Sequence, residues 1–157
     1  MSRQHHYNTK ITWTGNRGEG TKNYRGYDRS HQVIIKNKGV IECSSDPAFA
    51  GDAAKHNPEE LFLASLSSCH MLWYLHLCAD NGIAVMEYSD EAMGTMEENE
   101  NGGRFTDVLL QPRVTITGTA QIEKAIALHT QAHKLCFIAN SCNFPVRHLP
   151  FCKAVEE

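Results

Sequence analysis

The stretch "NPEELFLASLSSCH", Asn57 to His70, sets a helix and places one cysteine in its interior. Asn57 has the side chain of a good N-cap, Pro58 suits the first helical position, and Glu60 stands three residues after the cap, as in a capping box. Glu59 and Glu60 also bring negative charge to the positive end of the helix. The apolar pattern continues to Asp80 and meets "DNG", with Gly82 past the end, so the spacing predicts a helix of about 23 residues and roughly 35 Å. Its apolar residues (Leu61, Phe62, Leu63, Leu66, Met71, Leu72, Trp73, Leu75 and Leu77) point in nearly every direction. That predicts a central helix buried on several sides, which one small chain covers poorly and a dimer covers well.

Upstream, "KITWTG" and "HQVIIKNKGVIEC" read as strands joined by hairpins, the second around the turn former "NKG". Downstream, "IAVMEYSDEAMGTME" and "RFTDVLLQPRVTITG" alternate as two long antiparallel strands joined through the polar run "EENENGG", with Pro112 marking an edge or bulge. "TAQIEKAIALHTQAHKLC" carries Ile122, Ala125, Ile126, His129, Ala132 and His133 at helical spacing, an amphipathic helix that ends on Cys136. The tail "FIANSCNFPVRHLPFCKAVEE" is irregular, with a possible final strand. The fold class expected is α+β, an antiparallel sheet with a long central buried helix.

At 157 residues the chain is long enough to bury a core without a disulfide or metal, and no repeat or linker divides it, so one domain over residues 1–157 is expected. Net charge is −3 with a pI near 6.3, and the fifteen Lys and Arg are scattered, which argues against nucleic acid or an anionic membrane as partner. The N-terminus lacks an apolar signal-peptide core, and the densest apolar run, Leu61 to Cys78, is interrupted by Ser, His and Tyr, so no membrane span is expected. Six cysteines without an export signal are expected to stay reduced in the cytoplasm, with one reactive pair at most.

A cysteine inside a helix usually serves as a small apolar filler, and Cys78 is read that way. For Cys69 to react it must be a thiolate, which needs a nearby cation or donor against the desolvation that raises a buried thiol's pKa. The sequence alone shows no such cation.

"NPEELFLASLSSC", followed 67 residues later by the cysteine of "AHKLCFIANS", resembles the OsmC/Ohr family of osmotically inducible and organic hydroperoxide resistance proteins. The resemblance implies an OsmC-like, intertwined homodimer that reduces organic hydroperoxides through two cysteines. Carried over by motif, it makes Cys69 the peroxidatic cysteine, Cys136 the resolving one, and Glu59 the glutamate that orients a thiolate-stabilising arginine. Arg17 of "TGNRGEG" is preferred for that arginine by position, with Arg29 of "YDRSH" close behind because Asp28 adjoins it; Arg25 is a third choice. The implied chemistry is sulfenic acid formation on Cys69, condensation with Cys136, and reset by an outside dithiol, possibly lipoyl-linked, with no cofactor or metal.

Ten residues of straight helix separate Glu59 from Cys69 by about 15 Å, so Glu59 acts on Cys69 only through a break in the helix or from a partner subunit. Phe62, Leu66 and Trp73 are the apolar residues expected to line a substrate pocket around Cys69. Phe137 stands where many relatives have Pro, His70 follows Cys69 in place of an apolar residue, and Cys142 is a rival resolving thiol. Two other classes compete with the peroxidase. One is an OsmC-like protein that binds a small apolar ligand without turnover. The other is a zinc domain built from His129, His133 and Cys136, with His70 and Cys69 in reach.

Overall fold

Asn57 and Glu60 form the reciprocal cap that the sequence predicts: the Glu60 backbone N–H donates to Asn57 Oδ1 at 2.8 Å, and the Asn57 N–H donates to Glu60 Oε2 at 3.2 Å. Helix α1 runs unbroken from Pro58 to Asp80, with Gly82 just past its end at φ 68°, a left-handed turn that glycine adopts without a Cβ clash. Removing the cap side chain leaves first-turn donors unpaired. Asn57→Ala is therefore expected to cost about 0.5–2 kcal/mol, read as a lower urea midpoint.

The computed structural model describes residues 3–155. Backbone contacts group the chain into two compact units, Met1–Leu61 and Phe62–Glu157. The first is an antiparallel meander of β1 (Lys10–Trp13), β2 (His31–Ile34) and β3 (Ile41–Cys43), followed by a loop that leads into α1. The predicted "NKG" turn joins β2 to β3, with Asn37 at φ 64°.

In the second unit, β4 (Val85–Asp90) and β5 (Met93–Asn99) return through β6 (Gly102–Leu110) and β7 (Pro112–Ile116). The tip of this hairpin is shorter than "EENENGG" suggests. Only Glu100 and Asn101 turn, with Gly102 at φ 115°. The hairpin is bent into two sheets, because Asp90 stops the ladder: it accepts the Gln111 backbone N–H at 2.6 Å and the Ser67 hydroxyl of α1 at 2.5 Å. Pro112 is correspondingly the first residue of β7, paired with Asp90 at the break, and β7 is the middle strand of its sheet rather than an edge.

The irregular tail contributes two strands rather than one. Helix α2 (Ile122–Leu135) carries the chain back, and β8 (Val146–His148) then pairs with β6 while β9 (Phe151–Ala154) pairs with β7, both in parallel. The sheets are therefore mixed, orders β4-β7-β9 and β5-β6-β8, because a helical crossover permits parallel pairing where a tight turn does not.

Leu66, His70, Tyr74 and Cys78, four residues apart, form the one stripe of α1 that is fully buried. Leu66 joins Val108 and Leu110, with Phe62, Phe105 and Phe144 around them. Tyr74 and Cys78 join Ile83, Val114, Ile116, Ala125, Leu128, Ala132 and Cys152. Cys78 is a core residue, as expected. The wider burial expected of α1 is not reached within one chain: Leu72 is 63 % exposed. On α2 the buried residues are Ala125, Leu128, His129 and Ala132, so the inward face is rotated toward Leu128 and leaves Ile126 outside. Contrary to the reading of its interrupted apolar run, α1 is long and apolar enough to cross a membrane by length and composition; its buried stripe instead packs within the protein core.

Candidate functional site

Cys69 lies one residue off the buried stripe of α1 and is half-buried, open on one side. Cys136 caps the C-terminus of α2 and is fully buried. The fold places these two thiols near enough for Cys69 to act on the ionisation of Cys136. Burial pushes the Cys136 thiol up to about 11; the Ala139 N–H, 3.4 Å from the sulfur, opposes that, and the neighbouring Cys69 thiol adds to it. Cys136 is therefore a protonated thiol at neutral pH, shielded from solvent, with the more open Cys69 as its neighbour. All six cysteines are free thiols.

Cys142 has a partner of its own. Its thiol donates to the Ile138 carbonyl at 3.2 Å and packs on the Leu66 cluster, and burial raises its pKa. One turn beyond Cys69, Trp73 meets the ring of Phe137 edge-on at 5.5 Å. Phe137 follows Cys136 and is 66 % exposed, so an aromatic pair stands beside the dithiol, partly open to solvent. This differs from the expected pocket of Phe62, Leu66 and Trp73. Leu66 is sealed in one apolar cluster with Phe62 against it, while Trp73 packs against the other. The four-residue helical spacing separates these residues onto neighbouring stripes.

The candidate arginines and glutamate belong to the first unit. Arg17 donates to the Arg25 carbonyl at 2.8 Å and lies 3.5 Å from Asp28. Asp28 thus pairs with Arg17, not with Arg29 as its adjacency in "YDRSH" suggests. Arg29 donates to the Tyr27 and Tyr24 carbonyls at 2.7 and 2.6 Å, and its guanidinium lies over both tyrosine rings at 4.3 and 4.2 Å. Arg29 also lines a polar cavity of about 400 Å³ with Ser30, Ser44, Asp52 and Lys55. Since Glu60 takes the capping role, Glu59 is spare: its buried Oε2 has no hydrogen-bond partner. The break in α1 that would bend Glu59 toward Cys69 is absent.

A second constellation was only half legible. His70 faces away from Cys69 and meets His129, Nε2 to Nδ1 at 2.9 Å, both rings fully buried. His148 from β8 lies 5.7 Å from the His70 ring and 5.6 Å from that of His133, while Tyr74 stacks on His129 at 3.8 Å. The zinc alternative does not fit this arrangement. The facing nitrogens of His70 and His129 occupy each other, and among the described residues no three His, Cys, Asp or Glu are placed to hold a metal ion. The clue present in the sequence was a histidine at a core position of the Leu66–Tyr74–Cys78 stripe; His148, in the irregular tail, gave none.

Comparison with known proteins follows the same lines. The OsmC-like protein family matches residues 51–148. An OsmC-like protein of unknown function from Vibrio cholerae is 33 % identical, with a TM-score of 0.81 over 94 % of this chain and 100 % of that one. At 23 % identity, an organic hydroperoxide resistance protein from Elizabethkingia anophelis aligns with a TM-score of 0.69 over 98 % of this chain and 100 % of that one. The organic hydroperoxide resistance protein OhrB of Bacillus subtilis, 20 % identical, aligns at 0.62 over 94 % and 98 %. These last two are likenesses of fold. Among curated proteins none matches.

Proposed function

Because the chain belongs to the OsmC-like family, we propose that it is a thiol-dependent peroxidase that reduces organic hydroperoxides. The observation that carries the reading is the nearness of the half-buried Cys69 thiol to the buried Cys136 thiol. A peroxide that reaches Cys69 meets a sulfur that can attack, and the resulting sulfenic acid already has its resolving thiol beside it. In the first step the Cys69 thiolate attacks the O–O bond, the distal oxygen stays on sulfur, and the alkoxide leaves with a proton as alcohol. In the second, Cys136 attacks the sulfenic sulfur, and hydroxide leaves with the Cys136 proton as water. An external dithiol, lipoyl-linked in some relatives by resemblance, returns the two electrons.

The remaining roles rest on the motif match. Glu59, with its unpartnered oxygen, takes by motif the part of the residue that orients an arginine, Arg17 or Arg29. Trp73 and Phe137 supply an apolar wall that favours an alkyl over a hydrogen peroxide. Free thiols at all six positions suit a reducing compartment such as the cytoplasm. The reading is tested by steady-state reduction of cumene hydroperoxide and hydrogen peroxide with dihydrolipoamide as reductant. A kcat/KM at least tenfold higher for the organic substrate is expected; no turnover of either would end the proposal.

We also propose a homodimer built on α1. Only one stripe of this apolar helix is buried in the chain, and Leu72 stands on an uncovered side. Leu72→Glu is expected to convert a dimer to monomer in analytical ultracentrifugation; a wild-type monomer at micromolar concentration would contradict the assignment.

A further inference from the structure

The elements that bring Cys69 and Cys136 together are joined by a second contact. His70 follows Cys69 on α1, His129 lies two turns before Cys136 on α2, and their rings meet through one N–H···N hydrogen bond of 2.9 Å at the junction of the two apolar clusters. We infer that His70 and His129 are positioning residues: neutral, they hold α2 against α1 so that Cys136 stays beside Cys69, and charged, they release it. This deepens the peroxidase reading in its resolving step, yet the juxtaposition of the thiols that it concerns does not depend on which oxidant acts on Cys69.

The pair is built for such release. One ring must donate and the other accept, so two imidazolium rings cannot make the bond. The outer nitrogens, His70 Nδ1 and His129 Nε2, are buried without partners, so nothing compensates a charge placed there. The titratable groups acting on the pair are His133 of α2 and His148 of β8, with Tyr74 of α1 stacked on His129 and Tyr88 of β4 behind Tyr74; no carboxylate is among them. A proton entering the cluster therefore meets only neutral or like-charged neighbours. Entry is open, because His133 and His148 line a cavity of about 540 Å³ with Leu109, Val146, Arg147 and Leu149. Arg147 is engaged by Asp107 through two hydrogen bonds.

The test is the rate at which the Cys69–Cys136 disulfide closes, followed by mass mapping of the full-length protein from pH 8 to 3.5. The oxidant is diamide, which takes two electrons and two protons from the thiol pair and becomes the hydrazine; a parallel series uses one equivalent of cumene hydroperoxide. Thiolate loss alone lowers the diamide rate at most tenfold per pH unit. Wild type is expected to fall more steeply below about pH 5, where the rings begin to take up protons. His129→Gln, whose amide can still bond His70 but does not titrate, is expected to keep the rate at pH 8 and to fall no more steeply than the thiolate slope. His129→Leu is expected to lose at least tenfold at pH 8. Equal rates for the Leu and Gln variants, or a wild-type slope no steeper than tenfold per unit, would overturn the inference. If a variant does not fold, the wild-type slope decides. Closure by diamide with this pH profile but none by hydroperoxide would sink the peroxidase reading and leave the positioning role standing.

Discussion

Cys69→Ser is expected to abolish hydroperoxide turnover, a loss of at least a thousandfold, because a serine hydroxyl is far too weak an acid to supply the attacking anion at neutral pH. Cys136→Ser is expected to behave differently. Its Cys69 remains beside position 136 and still attacks the peroxide once, but the sulfenic acid then has no thiol to condense with and persists. Dimedone trapping after one equivalent of peroxide distinguishes them: one adduct on Cys69 in the Cys136→Ser protein and none in Cys69→Ser. Resolution by Cys142 would appear as a Cys69–Cys142 disulfide in the Cys136→Ser protein. The structure argues against that outcome, since the Cys142 thiol is committed to the Ile138 carbonyl. Retained turnover in Cys69→Ser would remove the chemistry proposed.

The second large effect is acid destabilisation. Desolvation lowers His70 from 6.5 to about 4, with the charges of His148 and His133 adding to it, and lowers His129 to about 3, with His70 and His148 adding to it. Both folded-state values lie below the unfolded value, so the unfolded chain binds more protons as pH drops through 6.5. Stability is then full above about pH 7.5, falls as pH decreases, and stops falling from this source below about pH 3. At pH 5 each ring held neutral costs roughly 2 kcal/mol, so the pair removes about 4 kcal/mol relative to pH 7.5. Urea unfolding at the two pH values measures it. The double replacement His70→Gln and His129→Gln is expected to remove most of the difference, and an unchanged wild-type stability at pH 5 would contradict the assignment.

Elements whose signals are local were legible in the sequence. The α1 boundaries follow from Asn57, Pro58, Glu60 and Gly82, all within a turn of the ends they set, and the hairpins follow from alternation around turn formers. Features that depend on distant partners were not. The bend between the two sheets needs Asp90 to meet Gln111 and Ser67, twenty or more residues away along the chain. The parallel placement of β8 and β9 is decided by the crossover through α2, which short apolar runs in a Pro-containing tail do not announce.

The candidate site divides in the same way. Residue spacing placed Cys69 inside a helix and Cys136 at the end of one, but only the family resemblance joined them, and the fold then set the two thiols near each other. Arg29 stands second to Arg17 in the sequence because Asp28 adjoins it, whereas the loop turns that carboxylate to Arg17 and seats Arg29 between Tyr24 and Tyr27. Leu66 was assigned to a pocket because it is apolar and near Cys69 in sequence; the helical repeat instead puts it on the buried stripe. The partner of His70 lies 59 residues away, and no spacing rule could have named it.

The central claim, a dithiol that works as a unit, is tested most directly by intact-mass analysis and thiol mapping of the reduced protein after one equivalent of cumene hydroperoxide. The account predicts a loss of two hydrogens, with the new disulfide mapped to Cys69 and Cys136 and the other four thiols still free. Six free thiols after exposure would contradict it, leaving Cys69 as a packing residue and the domain as a binder of apolar ligands.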